Sequence, residues 1–522
     1  LRAVAVAIAA GCSPPAEALF VADHVLPGGG PVAVVVDGGR ITAVLPPEDG
    51  PRARSVTRCA LLTPGVVDAH GHPSGLARAR LELDLVGLPT YAATLKAIAD
   101  APGDGWLVGR GWDHEDWPDA PDGKWPDAAA LDAAARGRPV YLRRVDGHAA
   151  WVSSAALATA SLPAEDPPGG QILRDGSGAP RGVLIDTAMD LVAPGRPAAD
   201  ASLASLRGVL ADLAAAGLTG VHEMGVDDET LDLWRAVAND DLPVRVWIYV
   251  DPTSRAAEDL MARGPYALGP RAHVVGVKLY ADGSLGSRGA WLSLDYADQP
   301  GHQGTPILEP AAIRRWSERA AKVGAQVATH AIGDLAVHHT LDAYRDAALV
   351  APPIRPMRVE HAQVVGPKDR RRFHDEGVIA SMQPTHLTSD MPWAPARLGP
   401  VRIPWGYAWK PMREAGATLA FGSDFPVETF DPLVGLGVAV TRADPASGAT
   451  YAPTLALSPD EAIAAYTSGA AAALGLPAGS LGVIAPGAVA DLTCWDEGGG
   501  AWPWRVRSTH LGAEPSWYAG KR

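Results

Sequence analysis

Eight short apolar runs, rich in β-branched residues, recur through the middle of the chain at 65–70, 218–222, 244–250, 274–280, 325–330, 357–361, 378–382 and 418–423. Between several of them lie Ala- and Leu-rich stretches with helical spacing, such as 201–216 and 313–322. A strand, a helix and another strand in succession predict parallel pairing, because the helix carries the chain back across the sheet. An open doubly wound sheet and a closed barrel both use such units. Eight of them favour closure, so the expected fold class is α/β, a parallel (β/α)8 barrel.

The 522 residues leave room for more than a barrel. Both ends are strand-rich. Val32-Ala33-Val34-Val35-Val36 and Ile41-Thr42-Ala43-Val44 flank Asp37-Gly38-Gly39, which is a hairpin signal. Val483-Ile484, Pro486-Gly487 and the run from Ala490 to Trp495 repeat that style near the other end. The first two apolar runs are separated by a long gap, which holds strand candidates at 106–110 and 139–143 among Pro, Gly and Asp turns. A structureless loop of that length is anomalous, so an inserted subdomain near the barrel mouth is expected at about 80–200. The expected divisions are a leader at 1–18, a β part at 19–63, the barrel at 64–477 and a second β part at 478–522.

Residues 3–10 are uniformly apolar and precede Gly11-Cys12-Ser13-Pro14-Pro15. The run is too short to span a bilayer and resembles the end of a secretory signal. Ala10-Gly11-Cys12 also resembles a bacterial lipoprotein cleavage site, which would make Cys12 a lipid anchor. The expectation is an exported protein, periplasmic or membrane-anchored; were the run part of the mature fold, the chain would be cytoplasmic. Cys59 and Cys494 could then pair in an oxidising compartment. The net charge of −14, from 45 basic and 59 acidic residues, argues against nucleic acid as a partner.

The chemistry sits at the ends of the apolar runs. The first ends Asp68-Ala69-His70-Gly71-His72, and two His at i and i+2 on a strand share a side. The fourth carries Lys278 in an otherwise apolar setting, the fifth ends at His330, the sixth at Glu360-His361, and the eighth at Ser423-Asp424. Singly, each has an ordinary reading: Asp424 could cap a helix and Lys278 could pair with a carboxylate. Together, His70, His72, Lys278, His330, His361 and Asp424 would converge on one barrel mouth. No Gly-x-Ser-x-Gly elbow, no His-Glu-x-x-His helix and no phosphate loop is present.

These motifs identify the chain as similar to the amidohydrolase superfamily, within its YtcJ-like and N-substituted formamide deformylase group. The match is carried by Pro64-Gly65-Val66-Val67-Asp68-Ala69-His70-Gly71-His72, Asp146-Gly147-His148, the stretch from Lys278 to Ala290, His330-Ala331-Ile332-Gly333-Asp334, Glu360-His361-Ala362-Gln363, Ser381-Met382-Gln383-Pro384 and Phe421-Gly422-Ser423-Asp424-Phe425-Pro426. The resemblance implies a distorted TIM-like barrel with a small β-sandwich built from both chain ends. It also implies one or two divalent ions, most often zinc. His70, His72 and Asp424 would hold one ion and His330 and His361 the other. Lys278 would bridge them after carbamylation by carbon dioxide.

The expected reaction is hydrolysis of a carbon–nitrogen bond other than a peptide bond, in a small amide such as an N-substituted formamide, by hydroxide generated at the metal. Asp424 would carry the proton, and His148 could donate to the substrate carbonyl. Asp282 and Arg288 could orient Lys278 or bind a substrate carboxylate, and Trp112, Trp393 and Trp405 could line an apolar pocket. His386 has no assigned role. The competing readings are a deaminase, a cyclic-amide or carbamate hydrolase, and a non-catalytic lipid-anchored binding protein.

Overall fold

The computed structural model describes residues 15–120, 125–194, 198–499, 502–512 and 514–519. The expected leader and Cys12 fall almost wholly outside them. Its expected end at 18 does not suit the fold, because a strand already begins at Ala16, with Ala16, Ala18 and Leu19 buried in a sheet.

All eight apolar runs are strands of one parallel array: β1 (Val66–Gly71), β2 (Leu218–Val226), β3 (Arg245–Val250), β4 (Ala272–Tyr280), β5 (Gln326–Ala331), β6 (Arg358–His361), β7 (Ile379–Met382) and β8 (Thr418–Phe421). Each strand neighbours the next in sequence order from β1 to β8. The array closes where β8 leads back to β1. There the Asp424 amide donates to the His70 carbonyl at 2.7 Å. The Asp68 carboxylate accepts from the Ser423 amide at 3.1 Å and the Ser423 hydroxyl at 2.6 Å. A side chain thus completes a seam that is only partly closed by backbone ladder.

Helices cover the outside. The one at Pro310–Val323, before β5, starts with Pro in its first turn and stops at Gly324, whose φ of 71° is a left-handed cap open to glycine. Val277 and Leu279 of β4 belong to the core shared with these helices, whereas Val67, Ala69, Met224, Tyr249, Ala328 and Ala420 fill the barrel interior. Strand alternation therefore turns Lys278, between Val277 and Leu279, away from the helices.

Between β1 and β2 the chain builds its own six-stranded sheet from strands between Leu83 and Asp186. The two chain ends meet in a seven-stranded sheet, where Leu492–Glu497 pairs antiparallel with Ala53–Pro64. Across this junction a disulfide joins Cys59 and Cys494, whose Cα atoms lie 5.4 Å apart.

Candidate active site

His70, Lys278, His330, His361 and Asp424 come together at the mouth of the barrel, all buried. His70 Nε2 lies 3.2 Å from Lys278 Nζ and 3.4 Å from Asp424 Oδ1. The ring of His361 is 4.7 Å from that of His70 and 4.6 Å from that of His330. His72, on the loop after β1, sets Nε2 3.0 Å from the same Oδ1 of Asp424. Ligand atoms of His70, His361 and Asp424 all lie within 4.8 Å of one another, the spacing of a cation site.

Two of these side chains reach the site through unusual backbone. Arg358 and Glu360 of β6 form an ion pair within the barrel, at 2.8 Å. Simple alternation would therefore turn His361 outward. A φ of 69° at His361 and 42° at Ala362 redirects the chain. Asp424 has a φ of 62°. Left-handed backbone at non-glycine residues costs on the order of 1–3 kcal/mol each and collects at functional sites.

Hydrogen bonds set the tautomers. His70 Nδ1 faces Glu360 Oε2 at 2.6 Å, His361 Nδ1 faces Gln383 Oε1 at 2.9 Å, and His72 Nδ1 faces the Met224 carbonyl at 2.9 Å. Each partner is an acceptor, so each Nδ1–H donates and each neutral ring offers the lone pair of Nε2. For His72 that lone pair points at a carboxylate 3.0 Å away, an arrangement that a cation or a proton must resolve. The donor set of imidazoles and a carboxylate suits zinc. The residues therefore fit a divalent metal.

Electrostatics agree. Burial lowers the His70 imidazole to about 4, with the Lys278 charge acting in the same direction. Burial also pushes His330 and His361 well below the usual imidazole range. These rings are neutral, as ligands must be. Burial lowers the Lys278 ammonium to about 8. Burial opposes charge on Asp424, yet its hydrogen bond with His72 holds its carboxyl well below the ordinary range.

A cavity of about 450 Å³ opens onto this cluster, lined in part by His148, His330, His361, His386, Trp393 and Asp424. The insert supplies His148, whose Nδ1 is 2.7 Å from Asp186 Oδ1 and whose ring is 5.0 Å from that of His330. Burial works against charge on His148, but Asp186, with Asp146 and Asp282, raises it to about 8.

Three expected substrate contacts are not in the cavity wall. Trp112 is fully buried in the core of the insert, its Nε1 donating to the Leu142 carbonyl at 2.8 Å, because a strand-end indole packs best where both its faces are covered. Arg288 pairs with Asp298 at 2.9 Å. Asp282 accepts the amides of Ile332, Gly333 and Trp291 at 2.8–2.9 Å, so it holds the loop that follows His330. Of the three candidate indoles only Trp393 borders the cavity. Glu360, Gln383 and Asp186 were not singled out from the sequence. The first two stood in the quoted motifs, where nothing local distinguishes a ligand-orienting group from a strand residue; Asp186 carried no signal at all.

A barrel with buried imidazoles, a lysine and an aspartate at one mouth defines a metal-dependent hydrolase scaffold. The chain belongs to the amidohydrolase family: the Amidohydro_3 family model matches residues 60–521. It is 33% identical over 452 residues to amidohydrolase YtcJ of Bacillus subtilis (strain 168), covering 83% of each chain. It is 26% identical over 486 residues to the N-substituted formamide deformylase of Arthrobacter pascens, covering 85% of this chain and 86% of that one. A metal-dependent hydrolase of Pyrococcus horikoshii OT3 superposes with a TM-score of 0.72 at 25% identity, covering 92% of this chain and 97% of the other.

Proposed function

We propose that the protein hydrolyses a non-peptide carbon–nitrogen bond in a small amide of the N-substituted formamide type. The observation that carries this reading is the convergence of His70, His361 and Asp424, with Lys278 at 3.2 Å from His70, beneath an open cavity. His70, His72 and Asp424 would hold one divalent ion and His330 and His361 another, zinc matching the donors, with Lys278 bridging as a carbamate. When bound, such ions polarise a carbonyl and lower the pKa of water.

The chain's own groups do the rest. Burial lowers the Lys278 ammonium to about 8, so a fraction is free amine near neutral pH; that amine adds to carbon dioxide and releases a proton, which draws the cationic side chain over into an anionic one. Asp424 Oδ1 is engaged by His72 and His70, so Oδ2 is the oxygen that takes a proton from the attacking water. The water oxygen bonds to the acyl carbon, the carbon–nitrogen bond breaks, and Asp424 delivers the proton to the departing nitrogen. His148, held by Asp186, donates to the acyl oxygen as it gains charge.

The test is elemental analysis, then chelation and restoration, with turnover measured on formamides, lactams, carbamates and dipeptides. Activity on formamides that is lost to chelator, restored by zinc or manganese, and reduced at least a hundredfold in Asp424→Asn is the expected result. Indifference to chelator, or a near-normal rate in that variant, would overturn it.

A further inference from the structure

One wall of the cavity beside Asp424 is unused by this chemistry. His386, on the loop after β7, has a buried Nε2 with no hydrogen-bond partner among the described residues. That atom lies 3.6 Å from Asp424 Oδ2, and the ring is nearly parallel to His361, at 8° with centroids 5.9 Å apart. An unpaired buried ring nitrogen is costly to the folded chain unless a group entering the cavity completes it.

Asp390 and Glu428 line the same cavity. Gln363 and the Tyr407 hydroxyl, the latter at 2.6 Å, both bond Oδ2 of Asp390, which leaves Oδ1 without a donor among the described residues. Neither carboxyl group forms an ion pair with Lys or Arg among the described residues. The guanidinium in the wall, Arg144, is already held by Asp113 and by Asp146, the latter at 2.5 Å. Two carboxyl groups that face one space with no Lys or Arg beside them keep their protons while the space is empty; an entering cation would draw those protons off and be held by the charges that form, whereas an anion finds no partner there.

We propose that the substrate is an amide of a basic amine, its amide nitrogen facing His386 and Asp424 and a second, protonated nitrogen of the leaving group seated by Asp390 and Glu428. This rests on the amide-hydrolysis reading and names the substrate class for it. The leaving group is the relevant part because Oδ2 of Asp424, the oxygen assigned to return the proton, is the one next to His386. The product would then be a diamine or a similar polycation.

The experiment compares N-(4-aminobutyl)formamide with N-pentylformamide, which replaces the ammonium by a methyl group at the same length. Binding to the zinc-reconstituted full chain is measured by calorimetry, and turnover is read on the same samples. The cationic probe should bind at least tenfold tighter to the wild type. Asp390→Asn and Glu428→Gln should each cut that ratio at least threefold, and together bring it within twofold of one. Both variants are near-isosteric, and an unchanged near-ultraviolet circular dichroism spectrum certifies the fold. His386→Ala should weaken both probes, with His386→Asn recovering part of the loss. A ratio near one in the wild type, a ratio unmoved by the double variant, or no binding of either probe overturns the inference. Preferential binding with no turnover of either probe overturns amide hydrolysis and leaves the cation preference standing. Equal turnover of both overturns the preference alone.

Discussion

Nδ1 of His70 lies 2.6 Å from Oε2 of Glu360, and Arg358 grips the same carboxylate at 2.8 and 3.0 Å. Arg358 in turn reaches the Ala69 carbonyl, the Ser381 hydroxyl, His222 and Tyr249. A candidate ligand on β1 is thus tied to an ion pair on β6 through the middle of the barrel. Despite its burial, Arg358 and His70 hold the Glu360 carboxyl far below the usual range, so it is an anion.

That anion fixes the His70 tautomer and raises its basicity. Glu360→Gln keeps the shape and removes the charge. Groups that orient a ligating His are worth roughly 10–100-fold in metal affinity. Zinc affinity, measured by chelator competition, should fall by about that factor; an unchanged affinity would separate Glu360 from the metal centre. Glu360→Ala is the less informative variant, because stranding a buried Arg358 costs about 3–5 kcal/mol of stability by itself.

Lys278→Ala should lose most bound metal and nearly all activity. In the wild type, protein prepared with ¹³C-bicarbonate should show a carbamate carbonyl resonance that the variant lacks. Full metal content and turnover in Lys278→Ala would exclude the bridge.

His148 belongs to the insert and touches the site from outside the barrel. If it donates to the acyl oxygen, His148→Ala should cut kcat by about 10²–10³-fold, the usual effect of removing one such donor, while metal content stays unchanged. Asp186→Asn should have a smaller effect in the same direction. Loss of metal in either variant would instead make His148 a structural neighbour of His330.

Asp390 supplies a pH test. Burial raises its carboxyl to about 7, against hydrogen bonds from Tyr407 and Gln363 and the nearby His386. An unfolded Asp releases its proton near ~4. Between these values the folded chain holds a proton that the unfolded chain has given up, so the stability linked to this group is present below about pH 4 and lost as pH rises through 7. The stability of the wild type relative to Asp390→Asn should therefore decline from pH 4 to pH 8, by on the order of 1–3 kcal/mol. The check is thermal unfolding of both proteins across that range; a flat or rising difference would mean that Asp390 is ionised in the fold.

The barrel was legible because its strands are short β-branched runs, and eight such runs with helical stretches among them have few ways to bury their apolar faces. The strand-end His, Lys and Asp were legible as a set because a parallel array puts all its C-terminal ends on one rim. Trp112 was misread as a pocket residue because an indole carries no local mark of which surface will cover it. His361 shows the converse. It stands one position out of phase with Arg358 and Glu360, and only its positive φ returns it to the centre.

Local pattern therefore determined which segments become strands and which reactive side chains lie at their ends, since both follow from periodicity along the chain. Long-range contact decided the rest: the Glu360–His70 tie, the Asp186 support of His148, the Asp68–Ser423 seam and the wall of His386, Asp390 and Glu428. Each of these needs two or more segments, and their distances come into being only when the barrel closes.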